Sequence, residues 1–257
     1  MTPQSLIISL RDQNPLVHCM TNFVAMNVAA NVVLAAGASP AMVHAQDEIA
    51  DFTPICGALT INIGTLSPAW AASMLEAART AADKNIPWVL DPVAHFISAY
   101  RKSVAQDLMA LRPTILRGNA SEIMAMAGEA GAGKGADSGD SVDAAKDAAR
   151  ALAQKFGSVV AVTGPVDFVT DGTRSAQVAG GSDLMPKVTA LGCSQTALMG
   201  AYAASGPAFE AALATLAHFK VAGTQAAERA DGPGSFQMHF LDALAATQPE
   251  DLAAAIL

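Results

Sequence analysis

The 257 residues carry 15 Lys and Arg against 23 Asp and Glu, a formal charge of −8, with 52% hydrophobic, 5% aromatic and 15% charged residues. No basic block interrupts that acidic balance, which argues against nucleic acid as a partner. At this length a folded chain hides about 70–75% of its surface and needs no disulfide or metal staple. Three cysteines, Cys19, Cys56 and Cys193, make an odd count without CxxC spacing. That argues against a disulfide framework or a zinc site and fits a reducing cytoplasm. Residues 1–5 show no basic stretch leading into an apolar core, so no signal peptide is expected. Asn27, Asn31 and Pro40 break the longest apolar stretches, so no membrane span is expected. So few charges leave apolar surface to cover, which favours a homo-oligomer.

In chain order the pattern predicts a strand over 16–20, a helix over 23–36, strands over 40–43 and 58–63, and a helix over 68–85. A strand over 88–90, a helix over 98–110 and a strand over 114–116 follow. Helices over 120–127 and 142–156 lead into strands over 159–163, 167–170 and 175–178, then helices over 192–204, 208–229 and 236–246. Ser67-Pro68 supplies a cap followed by proline at the first helical position, and Gly37 and Gly157 stop helical runs. Alternation of β and α at this spacing predicts a three-layer α/β/α fold in one domain, 1–257, with a mainly parallel sheet. Asp171-Gly172 marks a hairpin, which adds an antiparallel edge. Residues 128–139, rich in Gly, Ala and Ser, read as a mobile surface loop. Residues 128–135 approach the pattern GxxxxGK[ST], but Gly135 replaces the hydroxyl residue and a helix, not a strand, precedes it; it is not read as a phosphate site.

The stretch Val188-Thr189-Ala190-Leu191-Gly192-Cys193-Ser194-Gln195-Thr196 ends a loop and opens a long apolar helix. The first turn of a helix presents unpaired N–H groups and a positive dipole end, a ready anion site. Cys193 sits in that turn, where its thiol is expected to be acidified; the alternative is a buried cysteine starting a core helix. Asp91-Pro92, Arg117-Gly118-Asn119-Ala120-Ser121-Glu122 and Thr163-Gly164 each follow an apolar strand. Carboxyl ends of parallel strands face the ligand crevice of α/β folds. Together these residues suit a nucleotide–magnesium site, with hard oxygens for the ion and Arg for phosphate. Asn27 and Asn31 share a helix face, which with Asn22 makes either a structural network or the wall of a polar pocket. The five histidines are not spaced as a ligand cluster.

These features resemble the hydroxyethylthiazole kinase family, a branch of the ribokinase-like superfamily. The likeness runs from Asn14 to about Phe236. It includes Pro15-Leu16-Val17-His18, Thr21-Asn22, Gly37-Ala38-Ser39-Pro40-Ala41-Met42, Asn62-Ile63-Gly64-Thr65-Leu66, the three strand ends above, Gly192-Cys193 and Gly232-Pro233-Gly234-Ser235-Phe236. The resemblance implies a ribokinase-like fold and ATP-dependent, Mg2+-assisted phosphorylation of 4-methyl-5-(2-hydroxyethyl)thiazole in thiamin salvage. It also implies a homotrimer with active sites between subunits. It places Asn22, Val24, Met42 and Ala190 at the thiazole, Arg117, Thr163 and Gly192 at ATP, and Asp91 and Glu122 at magnesium. Cys193 falls where most ribokinase-like sugar kinases carry an aspartate base, and is expected to position the acceptor hydroxyl first and to accept its proton second.

Two segments depart from the family pattern. Ala190 stands where the family has the first glycine of Gly-x-Gly-Cys, and Ala94-His95-Phe96-Ile97 replaces a glycine-rich loop after Asp91-Pro92-Val93. A left-handed backbone at Ala190 would cost about 1–2 kcal/mol with alanine in place of glycine. These changes leave two alternatives beside the kinase: an impaired or non-catalytic thiazole-binding homologue, and a ribokinase-like kinase for another small heterocyclic alcohol.

Overall fold

The structure is a computed structural model and describes residues 1–128 and 141–257. The rest of the Gly/Ala/Ser-rich segment, including most of the P-loop-like stretch, lies outside the described residues. The elements are α1 (Pro3–Gln13), β1 (Leu16–Met20), α2 (Met26–Ala36), β2 (Ser39–Ala41), α3 (Gln46–Phe52), β3 (Ala58–Asn62), α4 (Pro68–Lys84), β4 (Trp88–Asp91), α5 (Ala99–Ala110) and β5 (Ile115–Asn119). They continue with α6 (Ala120–Ala127), α7 (Val142–Phe156), β6 (Val159–Thr163), β7 (Asp167–Thr170), β8 (Ser175–Val178), α8 (Leu191–Ser205), α9 (Ala208–Ala227), α10 (Pro233–Ala246) and α11 (Asp251–Ala255).

All eight strands join one sheet in the order β2-β1-β3-β4-β5-β6-β7-β8. Pairing is parallel from β2 to β6, and β7 and β8 form the antiparallel edge that Asp171-Gly172 predicts. Because side chains alternate across a strand, each face has its own core. Val17, Val89, Ile115, Val159 and Ala161 pack under α1, α2, α8, α9 and α10. Leu59, Ile61, Leu90, Leu116 and Val162 pack under α4, α5, α6 and α7. This is the three-layer α/β/α arrangement. The chain leaves β1 for β2 on one side and returns to β3 on the other, so the topological switch point lies between β1 and β3, where open α/β sheets bind ligands.

Among the described residues, three α-helices have no counterpart in the sequence pattern. In α1, a capping box between Thr2 and Ser5 and Pro3 in the first turn start a helix that buries Leu6, Ile7 and Leu10. The short helices α3 and α11 bury one and two residues respectively. α2 begins at Met26 rather than Phe23, because Asn22 Oδ1 accepts the N–H groups of Val24 and Ala25 and holds a turn first. β4 and β5 run on through Asp91 and Asn119, because β3 and β6 pair with them that far. Polar residues expected in loops are therefore strand residues, with fixed directions.

Candidate active site

Strand periodicity builds the site. Val89, Ile115 and Ala161 face the α8 side, so two residues further on Asp91, Arg117 and Thr163 face it too. Asn62, in register with Asp91 across β3 and β4, joins them. Four polar side chains thus stand in a row beneath the start of α8, at the carboxyl ends of β3 to β6. A chain of hydrogen bonds links them. Arg117 Nη2 donates to Thr163 Oγ1 at 2.9 Å and Nη1 to Asp91 Oδ2 at 3.3 Å. The same Oδ2 accepts Thr196 Oγ1 from α8 at 2.7 Å and Asn62 Nδ2 at 2.8 Å. Asn22 Nδ2 donates to Asn62 Oδ1 at 2.8 Å and to Cys193 Sγ at 3.3 Å. Cys193, Asn22, Asp91, Arg117 and Thr163 therefore meet in one cluster, as the sequence predicts.

α8 enters the cluster with an open end. Ser, Thr or Asn side chains cap α1, α4, α5, α6 and α7, whereas Ala190 at the start of α8 supplies no side-chain cap. Gly192 lies against Arg117, where a Cβ would stand 3.0 Å from Nη2. Beside it a cavity of about 500 Å³ opens, lined among others by Arg117, Thr163, Gly192, Asp167, Phe219 and Lys220. Its size suits a nucleotide-sized ligand. Gly192 faces the cavity while the next residue, Cys193, turns its sulfur to Asn22.

Charge at the site is buried. Asp91 is fully covered and Arg117 nearly so, forming an ion pair at 3.3 Å. Burial pushes the Asp91 carboxyl up, against the pull of Arg117, Thr196 and Asn62. Among the described residues Asp91 Oδ1 has no partner. Glu122 accepts the N–H of Ala94 on Oε1 at 2.9 Å and that of Asn119 on Oε2 at 2.8 Å, completing a capping box with Asn119. Burial first, then the Asp91 charge, raises its carboxyl to about 7.

The expectation of an acidified Cys193 is corrected. Burial pushes the thiol up to about 11, and the Asp91 charge adds to this; amides of Asn22 and Asn62 and the Arg117 charge oppose without winning. A helix end can acidify a thiol, but although Cys193 as a residue is only half-buried, desolvation of its thiol outweighs that effect here. Asn27 and Asn31 bond to each other at 3.1 Å on the outer side of α2 and do not join the cluster. Val24 is exposed and joins the group through its backbone N–H, which donates to Asn22 Oδ1, and Met42 is half-buried against the α2-side core. His18, His95 and His218 are buried on backbone carbonyl oxygens, of Val43, Pro92 and Leu244. Burial pulls His18 and His218 down to about 4.

Both family departures sit in the left-handed region: Ala190 at φ 64° and Ala94 at φ 47°. Alanine takes the conformation that glycine would take more cheaply. The Ala94 turn is fixed on both sides, its N–H by Glu122 and its carbonyl by Arg101 Nε at 3.3 Å. Arg101 also donates to the carbonyls of Ile63, Gly64 and Val93. Sequence reasoning missed Arg101, Asn62, Thr196 and Lys220. Asn62 had a signal, the same polar strand end that marks Asp91; Thr196 falls in the stretch that opens α8 but was given no role, and Arg101 and Lys220 lie on helices with nothing to single them out.

The model of the hydroxyethylthiazole kinase family matches residues 7–250. The chain belongs to the hydroxyethylthiazole kinase family. It is 77% identical to the hydroxyethylthiazole kinase of Roseobacter denitrificans over 100% of both chains. The structure of a hydroxyethylthiazole kinase protein from Pyrococcus horikoshii OT3 superposes with a TM-score of 0.92 at 36% identity, covering 99% of this chain and 97% of that one. The fold recurs in the pyridoxal kinase of Staphylococcus aureus, in complex with ADP, with a TM-score of 0.63 at 15% identity, over 82% and 87% of the chains. The ribokinase-like architecture and the kinase activity follow, and nothing favours a non-catalytic homologue.

Proposed function

We propose that this kinase, working as a single domain, transfers the γ-phosphoryl group of ATP to the primary hydroxyl of 4-methyl-5-(2-hydroxyethyl)thiazole, with Mg2+, in thiamin salvage. The observation that carries the reading is the split between neighbours in the first turn of α8. Gly192 looks onto Arg117 and the cavity, and Cys193 looks onto Asn22. Donor and acceptor sides would thus meet at neighbouring residues of one helical turn, which is compatible with the in-line alignment of attacking and leaving oxygens that transfer needs. Arg117 and Thr163 hold the phosphates, and the uncapped N–H groups of α8 stabilise charge on the transferred oxygens. Cys193, protonated, orients the alcohol, whose proton passes to an oxygen of the transferred phosphoryl group as the new O–P bond forms and the bond to ADP breaks.

The residues fit a magnesium ion in a limited way. Asp91 Oδ1 is buried and free of partners among the described residues. Both Glu122 oxygens already accept N–H bonds, so Glu122 would act through water. Mg2+ is commonly held by one or two carboxylates, waters and substrate phosphates, so Asp91 suffices on the protein side; no group of three or more acidic, His or Cys residues is gathered among the described residues. When bound, the ion would neutralise phosphate charge.

Homotrimeric assembly is part of the same reading. Phe23 and Val24, next to Asn22, are 67% and 58% exposed, and a subunit boundary through the site would cover them and let Val24 and Met42 of one copy meet the cluster of another. A cytoplasmic location is supported by three free cysteines, and no described helix is long and apolar enough to cross a membrane. The test is ATP consumption across a panel of small heterocyclic alcohols, with and without Mg2+, alongside light scattering for subunit number. Mg2+-dependent turnover greatest with the hydroxyethylthiazole is expected. Absence of turnover with every alcohol would overturn the reading, and a monomer would overturn the assembly.

A further inference from the structure

Asn62 ends β3 beside the switch point and is 2% exposed. Its Oδ1 accepts Asn22 Nδ2 at 2.8 Å and the backbone N–H of Gly64 at 2.9 Å, and its Nδ2 donates to Asp91 Oδ2 at 2.8 Å. The backbone dictates which way each amide points. The N–H of Gly64 requires an acceptor, so Asn62 must turn its Nδ2 towards Asp91. The N–H groups of Val24 and Ala25 occupy Asn22 Oδ1 at 3.1 Å each, so Asn22 must turn its Nδ2 towards Asn62 and Cys193. Gly64 keeps the pair in contact, since a Cβ there would stand 2.6 Å from Asn22 Nδ2.

We propose that Asn62 is a positioning residue for phosphoryl transfer, aligning the Asp91 carboxylate on the nucleotide side and, through Asn22, the Cys193 sulfur on the alcohol side. This rests on the kinase reading above. Asn62, Arg117 and Thr196 all donate to Asp91 Oδ2, which sets the carboxylate plane and leaves Oδ1 without a partner among the described residues. Asn62 is the member of that trio that also reaches Cys193, by way of Asn22. It therefore fixes the spacing between the two halves of the reaction, on which transfer rates depend steeply.

The test compares wild type with Asn62→Asp and Asn62→Ala. Asn62→Asp keeps the acceptor for Asn22 and Gly64 but turns the donor facing Asp91 into a second oxygen. For it, kcat is expected to fall about tenfold or more while KM for ATP and alcohol stays within about threefold. Iodoacetamide labelling of Cys193 in the free protein, with Cys193→Ala as blank, gives a readout independent of turnover. Its rate should change about threefold or more in both variants. Asn62→Ala, which cuts both links, should lose kcat and also raise KM for the alcohol. Melting temperatures accompany each variant. Wild-type kcat and labelling in Asn62→Asp would overturn the proposal. So would a loss of kcat, both KM values and melting temperature together, which marks a merely structural role. If wild type turns over no alcohol, the kinase reading fails instead, and unchanged labelling in both variants would still overturn the Asn62–Cys193 link.

Discussion

Gly192 leaves Arg117 the space that a side chain would take at the head of α8: a side-chain carbon on residue 192 would lie 3.0 Å from Nη2 and 3.2 Å from Nη1. Arg117 cannot retreat freely, since its guanidinium spans Asp91 and Thr163. Gly192→Ala therefore sets two effects against each other. Alanine in a helix favours the fold by about 1 kcal/mol over glycine, while the displaced guanidinium would lose the alignment on the nucleotide that the proposed function gives it. Unfolding stability should hold or rise, and KM for ATP should increase about tenfold or more. Denaturant melts together with ATP titration calorimetry check this; lower stability with unchanged ATP affinity would contradict it.

Ala190 and Ala94 carry backbone strain that glycine would relieve. Both adopt left-handed φ, at 64° and 47°, at a cost of about 1–2 kcal/mol each for a residue with a Cβ. Glycine's greater freedom in the unfolded chain returns about 0.5–1 kcal/mol of that. Ala190→Gly and Ala94→Gly should each stabilise the fold by up to about 1 kcal/mol. Because the alanines already hold the required conformation, kcat should change by no more than about twofold. A large rise in kcat would show that these positions limit transfer.

The sequence carries the sheet almost whole, and it does so through alternation. Each strand that packs both faces reads as an apolar run, and all eight are found. The cluster of Asp91, Arg117 and Thr163 was legible because charged or hydroxyl residues end otherwise apolar strands. Asn62 follows the same rule and falls in a matching motif, but an amide is a common loop residue, and it was given no role in the site. The small helix α3 was illegible because it buries only Ile49 and so leaves no periodicity. Arg101 and Lys220 act on backbone carbonyls of distant turns, and such partners leave no trace in local spacing. The Cys193 thiol was misjudged for a related reason. A helix start can be read from sequence, but the burial that outweighs it depends on what packs against it.

With burial pushing its thiol up to about 11, Cys193 is expected to be protonated at neutral pH and, under the proposed function, to hold the alcohol. Cys193→Ser keeps a group that can accept from Asn22, and Cys193→Ala does not. The serine variant should retain more activity than the alanine variant, with kcat losses of about tenfold and about a hundredfold. Wild-type labelling by iodoacetamide should climb steadily towards about pH 11 without a plateau near neutrality. Steady-state kinetics and a labelling profile test both points; a plateau near pH 7 would mean a thiolate and restore Cys193 as base.

Asp167, on the wall of the same cavity as Arg117 and Gly192, supplies a stability signal. Its Oδ1 accepts the N–H of Gly164 at 2.8 Å and lies 3.5 Å from Lys220 Nζ, which also donates to the carbonyls of Gly164 and Pro165 at 2.7 and 2.9 Å. The pair pins the turn that follows Thr163. Burial raises the Asp167 carboxyl to about 6 despite Lys220. In the unfolded chain the same carboxyl titrates near about 3.9. The folded form therefore holds its proton more tightly, and the stabilisation linked to that proton is fully present below about pH 4 and lost as pH rises through about 6. Asp167→Asn removes that term while keeping an acceptor for Gly164. Its stability should fall less than wild type between about pH 4 and 7, by an amount bounded at about 3 kcal/mol. Glu122, raised to about 7 with the same sign, still contributes, so the slope should shrink rather than vanish. Urea unfolding across that range decides it: parallel curves for the two proteins would mean that Asp167 titrates as it does in the unfolded chain.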